Sequence, residues 1–114
     1  MNTNTKENTV KMHAYAVYQL PSDHSSYRDL YFMEASEVEA ISGDYDVVAR
    51  IDARSLEEAF RIGNFVCEED RSKIEIVGEM HSISVGDILH NLETGDTWVC
   101  AGHGWDKINM KECA

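Results

Sequence analysis

Residues 87–101 read DILHNLETGDTWVCA. Two short apolar runs, "DILHNLE" and "TWVCA", flank Thr94-Gly95, a pair suited to a tight reversal. The spacing predicts two antiparallel strands joined by a hairpin, and so makes a sheet the centre of the fold. With that turn His90 falls opposite Val99, and its side chain faces away from that of Cys100.

Upstream, "HAYAVYQL" (13–20) is rich in Tyr and Val and apolar on both alternating faces, which reads as a central strand. "PSDHSSY" (21–27) has turn composition, and "RDLYFM" (28–33) reads as a second strand in a hairpin with the first. "SEVEAIS" (36–42) predicts a short helix opened by Ser36 with Glu39 three residues on. In "YDVVARID" (45–52), Tyr45, Val47, Ala49 and Ile51 fall on one strand face, with Asp46, Arg50 and Asp52 mainly on the other.

The strongest helix spans 56–65. Ser55 is a good N-cap, Glu58 completes a capping box, and Leu56, Ala59, Phe60 and Gly63 form one stripe. "VCEEDRSK" (66–73) is a charged loop, and "IEIVGEM" (74–80) alternates as a strand with Ile74, Ile76 and Met80 together. "GWDKINM" (104–110) returns an aromatic and an isoleucine to the body. Strands, a helix, then more strands indicate one α+β domain over residues 12–110 behind a flexible tail of residues 1–11. Its expected core is a mostly antiparallel sheet of about five strands with one or two packed helices.

The chain has 114 residues, 43% of them hydrophobic, which suits a single modest core. No apolar run follows a basic start at the N-terminus and no stretch reaches membrane-spanning length, so the expectation is a cytoplasmic protein. Cys67, Cys100 and Cys113 form no CxxC pair and read as reduced thiols. Charge is the strongest signal: 21 acids against 10 bases give −11. Between Glu34 and Asp70 there are eleven acids and three bases (Arg50, Arg54, Arg61), so that third alone carries −8. Such a surface repels nucleic-acid phosphates. It either imitates DNA toward a basic groove or simply keeps a small protein in solution.

His81, Ser82, Ser84 and Asp87 have the letters of a hydrolytic relay, but sequence neighbours on a strand point to opposite faces and no nucleophile elbow is present. Ser84 and Asp87 bonding local backbone around a bend at Gly86 accounts for the same residues. Cys100 and His103, with His81 and His90, contain one tight zinc-type pair where a strong signature needs two. Glu57 and Glu58 suit a helix N-terminus, while Glu68, Glu69 and Asp70 lie in a loop. No phosphate-cradling loop or dinucleotide fingerprint is present, so no metal and no cofactor is expected. Trp98 and Trp105 read as core or interface anchors, and burying them between two copies would make a homodimer.

Six pieces occur in a set order: "YAVYQL" (15–20), "RDLYFM" (28–33), "YDVV" (45–48), "LEEAF" (56–60), "HSISVGDIL" (81–89) and "GWDKI" (104–108). Together they resemble the YodL-like domain family across residues 13–109. Met80 stands where that pattern has Gly, Gly86 where it has Ser, and Trp105 where it has a closing Phe. The resemblance implies a small domain of bacteria, plasmids and phages, found alongside antirestriction modules, with no catalytic residues to carry over. It makes His81, Ser82, Ser84 and Asp87 the first place to seek a binding surface, with Asp29 and Trp105 nearby.

The resulting expectation is a non-enzymatic, acidic accessory protein of a phage or plasmid. It would bind a host protein, such as a nucleic-acid-binding defence protein, through Glu57, Glu58, Glu68, Glu69 and Asp70, and contact neither nucleic acid nor membrane. The alternative is a small metal-dependent or Ser/His hydrolase using His81, Asp87, Cys100 and His103, which requires those side chains to converge.

Overall fold

The computed structural model describes residues 11–111; the expected tail up to residue 10, and Cys113, lie outside them. Six strands form one antiparallel sheet: β1 (His13–Gln19), β2 (Asp46–Ala53), β3 (Ile74–Ile76), β4 (Ile88–Asn91), β5 (Thr97–Ala101) and β6 (Gly104–Ile108). Their order is β3-β2-β1-β4-β5-β6, so β1 is central, as its two apolar faces require. The fold is α+β.

Both faces of the sheet are covered. On one, α2 (Leu56–Gly63) sets Ala59 and Ile62 against Tyr15, Val17, Ala49, Ile51 and Leu89. On the other, α1 (Ala35–Ala40) and a 3-10 segment (Tyr27–Phe32) set Val38 and Leu30 against Ile88, Val99 and Ile108. Phe60 sits at the margin of its helix, edge-on to Trp105, so the stripe that meets the sheet is Ala59, Ile62 and Gly63.

Ser55 caps α2: its hydroxyl accepts from the Glu58 N–H at 3.1 Å. The Glu58 carboxylate reaches one residue further back than a capping box requires, to the Arg54 N–H at 2.7 Å and the Arg54 guanidinium at 2.8 Å. Those bonds pull its carboxyl down to about 2. Ser55→Ala is expected to lower stability by roughly 1 kcal/mol in urea unfolding. An unchanged midpoint would mean the cap contributes nothing. α2 ends at Gly63, two residues before its expected end.

Four expectations are corrected. Residues 28–33 are not a strand in a hairpin with β1, which pairs instead with β2 and β4. In a 3-10 turn residues three apart eclipse, and Tyr27, Leu30 and Met33 accordingly share the core while Tyr31 and Phe32 stand 70% and 82% exposed. α1 begins two residues early, capped by a Glu34–Glu37 box in place of Ser36 and Glu39. In β2 a bulge inserts Val48: Val17 pairs with Ala49 but Tyr18 with Val47. One extra residue reverses the alternation, so Val47 and Tyr45 leave the face of Ala49 and Ile51. Strand β3 stops at Ile76, because the Val77 and Gly78 N–H groups both turn onto the Val48 carbonyl (2.9 and 3.1 Å).

The 88–101 hairpin forms, with Asn91 closing the turn: its side-chain oxygen accepts from the Glu93 and Thr94 N–H groups. His90 pairs with Thr97, two positions from the expected Val99, which leaves it on the same side and still turned from Cys100.

Candidate functional site

The C-terminal end of β1, the start of β2, the start of β4 and the turn between β5 and β6 all lie at one end of the sheet. After β3 the chain crosses this end without regular structure, from Gly78 to Asp87. Sequence reasoning singled out His81, Ser82, Ser84 and Asp87 within that segment but read 78–80 as strand, and it did not find what holds the crossing. Its anchor is Gln19, a polar residue closing an apolar strand, 2% exposed.

The Gln19 amide pairs with a main-chain unit as a neighbouring strand would. Its Oε1 accepts from the His81 N–H (3.1 Å) and its Nε2 donates to the His81 carbonyl (2.8 Å). The second Nε2 hydrogen goes to Asp87 Oδ2 at 3.0 Å. A flipped amide would set Oε1 against a carbonyl and a carboxylate, so the network fixes the orientation. His81 Nδ1 lies 2.7 Å from the Ser82 carbonyl, which assigns a hydrogen to Nδ1.

Asp87 is 1% exposed. Its Oδ2 also accepts from the Ser84 N–H at 2.9 Å, the local bond expected of Asp87 and Ser84. Burial pushes its carboxyl up to about 6, against the opposing pull of the Ser84 N–H, the nearby His81 and the Gln19 amide. Tyr45 closes the cluster from the other layer, donating its hydroxyl to the Gly86 carbonyl at 2.6 Å. Gly86 has φ +96°, and a Cβ there would stand 2.9 Å from that of Leu30, so both backbone and space call for glycine.

No hydrolytic relay results. The Gln19 amide, not His81, is the side chain that donates to Asp87, and the Ser82 and Ser84 hydroxyls make no hydrogen bond among the described residues. Cys100 pairs across the sheet with Trp105 and so shares a face with Leu89, whereas His103 bonds Asp106 at 2.9 Å, on the Val99 face. Burial, with the Asp87 charge second, pushes the Cys100 thiol up to about 11. No group of three potential metal ligands occurs among the described residues. His81 and Cys100 both lie near enough to Asp87 to interact with it by charge, but His103 is on the other face, so the four residues of the hydrolase alternative do not converge.

Beside the Gln19 clasp opens a cleft of about 1030 Å³, whose lining residues include the acids Asp23, Asp46 and Glu79, the apolar Val47 and Met80, and His81. No lysine or arginine is among its lining residues, and the ion pairs among the described residues involve other acids. Sequence reasoning missed these three acids because they come from three separate segments.

The expected partner surface divides. Glu57, Glu68 and Glu69 are exposed, but Glu58 and Asp70 are buried and paired with Arg54, Arg61 and Lys73, so those two belong to the scaffold. Asp29 is exposed on the 3-10 segment, in the layer opposite Asp87's sheet face. Trp105 lies two strands from Asp87, half-buried against Phe60. Trp98 is also half-buried, with the Lys107 ammonium 5.8 Å from its ring centroid. No helix of the described residues is long and apolar enough to cross a membrane. Comparison with protein-family models, curated proteins and solved structures returns no match.

Proposed function

We propose that this chain is a non-catalytic binding protein whose cleft takes a cationic segment of a partner protein. In the setting that the YodL-like resemblance implies, it is an accessory of a phage or plasmid and the partner is a basic host protein, such as a nucleic-acid-binding defence factor. One observation carries the reading: Asp23, Asp46 and Glu79, none of them in an ion pair among the described residues, line one cleft together with the exposed Val47 and the half-buried Met80. That combination suits lysine or arginine side chains, whose charged heads meet the rim while their methylene stems cover apolar surface. The remaining acidic surface steers such a partner inward, which raises the association rate and makes it salt-sensitive.

The test must separate the cleft from net charge. Neutralising it with Asp23→Asn, Asp46→Asn and Glu79→Gln is expected to weaken binding of a fluorescent Lys/Arg-rich peptide by about tenfold at low salt. The same charge change at Glu57, Glu68 and Glu69, all to Gln, is expected to weaken it by no more than about threefold, as loss of long-range attraction alone. Equal losses from the two triple variants would reduce the cleft to one patch of a uniformly acidic surface.

A further inference from the structure

The two edges of the sheet differ. β6 carries Asp106 and Lys107 and exposes no large apolar side chain. β3 leaves Ile76 exposed, with Val77 exposed just beyond its end, and has neither proline nor lysine to discourage pairing. Its register shows which main-chain groups are free. The Val77 N–H bonds the Val48 carbonyl at 2.9 Å, and strand residues alternate sides, so Glu75 also faces β2 while Ile74 and Ile76 face outward. The Ile74 N–H turns back to the Arg71 carbonyl. That leaves the Ile74 carbonyl and both main-chain groups of Ile76 without a partner among the described residues. The side chains sort in step: Ile74 and Ile76 pair with Ile51 and Ala49 on the α2 face, and the exposed Glu75 lies on the other.

We propose that this edge takes up an extended segment of the cationic partner as an added strand, antiparallel to β3, with β-branched apolar residues beside Ile74 and Ile76 and lysine or arginine beside Glu75. This rests on the cleft reading above and supplies the conformation in which the partner binds. The edge runs into the cleft, because Gly78 and Glu79, which line it, follow Ile76 by two and three residues. At about 3.4 Å per residue one short strand reaches both. Glu75, like Asp46 and Glu79, is in no ion pair among the described residues. A second copy of this chain does not suit the edge, since each copy carries a net charge of −11 and the two would repel. Main-chain bonds give an added strand its affinity, and alternate side chains give it selectivity.

The probe is the acetylated, amidated peptide (Lys-Val)4, made also with N-methyl groups on every valine nitrogen or on every lysine nitrogen. Both methylated forms keep the charge and side chains of the parent. A valine opposite Ile76 exchanges both main-chain bonds with it, while the lysine N–H groups point to solvent. Methylating valine is therefore expected to weaken binding to the unmodified protein by about tenfold relative to methylating lysine. Equal or reversed affinities overturn strand addition. Ile76→Pro removes an outward N–H and no bond to β2, so it is expected to fold, to bind the parent peptide about tenfold more weakly and to lose the methylation preference. A folded variant that keeps the preference overturns the register, and if the variant does not fold the methylated pair decides alone. The cleft is read separately, with Asp23→Asn, Asp46→Asn and Glu79→Gln combined. A methylation preference with undiminished affinity in that variant would sink the cleft reading and leave strand addition standing. Weakened binding there, with no preference in the unmodified protein, would do the reverse. Absence of binding by the parent peptide overturns both. A dimer of the unmodified protein that Ile76→Pro dissolves would give the edge to a second copy and overturn the proposal.

Discussion

Gln19→Glu should lower folding stability by about 3 kcal/mol or more at neutral pH, because it sets a second carboxyl beside a buried one. In the present structure the Gln19 amide offers donors to Asp87 and to the His81 carbonyl. Glutamate keeps the shape and, when ionised, offers only acceptors, so two donors are lost and like charges meet. The deficit should shrink on acidification. Asp87 has a folded-state pKa near 6, above the ordinary carboxyl value, so its folded form binds the proton more tightly. Its contribution is therefore fully present below about pH 4 and is lost as the pH rises through about 6. A glutamate at position 19 steepens that loss. Urea unfolding at pH about 7.5 and about 4.5 measures both values; a deficit independent of pH would mean that the cluster is held by packing alone.

The second large effect lies where α2 meets the crossing segment. A Cβ on Gly63 would stand 2.7 Å from Cγ1 of Ile83 and press harder still on its Cδ1. Ile83 is fully buried, and it ties the cleft wall to the helix. Gly63→Ala is expected to cost about 1–3 kcal/mol by overpacking, less up to roughly 1 kcal/mol recovered from helix propensity. Ile83→Val alone removes a methyl and should cost about 0.5–1.5 kcal/mol. Combined, the two should cost clearly less than their sum, by about 1 kcal/mol or more, because the removed methyl is the one the new Cβ displaces. Strict additivity in a double-mutant cycle would show that the helix end moves instead.

What could be read from the letters was what depends on neighbours. α2 was legible because Ser55 and an amphipathic period occur within one turn of each other. The 88–101 hairpin was legible because Asn91 and Gly95 carry their own turn chemistry. Its register was not: the Asn91 N–H bonds the Asp96 carbonyl, closing a longer loop than Thr94-Gly95 alone suggests. The β2 bulge escaped because a period-two count cannot register one added residue, and 27–32 escaped because the unbroken apolar run from Leu30 to Met33 reads equally as a short strand.

The site was half legible for the same reason. Asp87 binding Ser84 spans three residues and was expected; Asp87 binding Gln19 spans 68 and could only be seen in space. A glutamine at the end of "HAYAVYQL" was the available signal, since burying its amide demands partners. Conversely, Glu58 and Asp70 counted toward a surface charge that their ion pairs with Arg54, Arg61 and Lys73 remove.

Amide chemical-shift mapping of the isotope-labelled protein during titration with the Lys/Arg-rich peptide is the direct trial of the cleft. Saturable shifts concentrated at residues 19–23, 46–48 and 78–81 are expected, fading as salt is raised. Shifts centred on Glu57, Glu68 and Glu69, or scattered without saturation over every acidic residue, would contradict it.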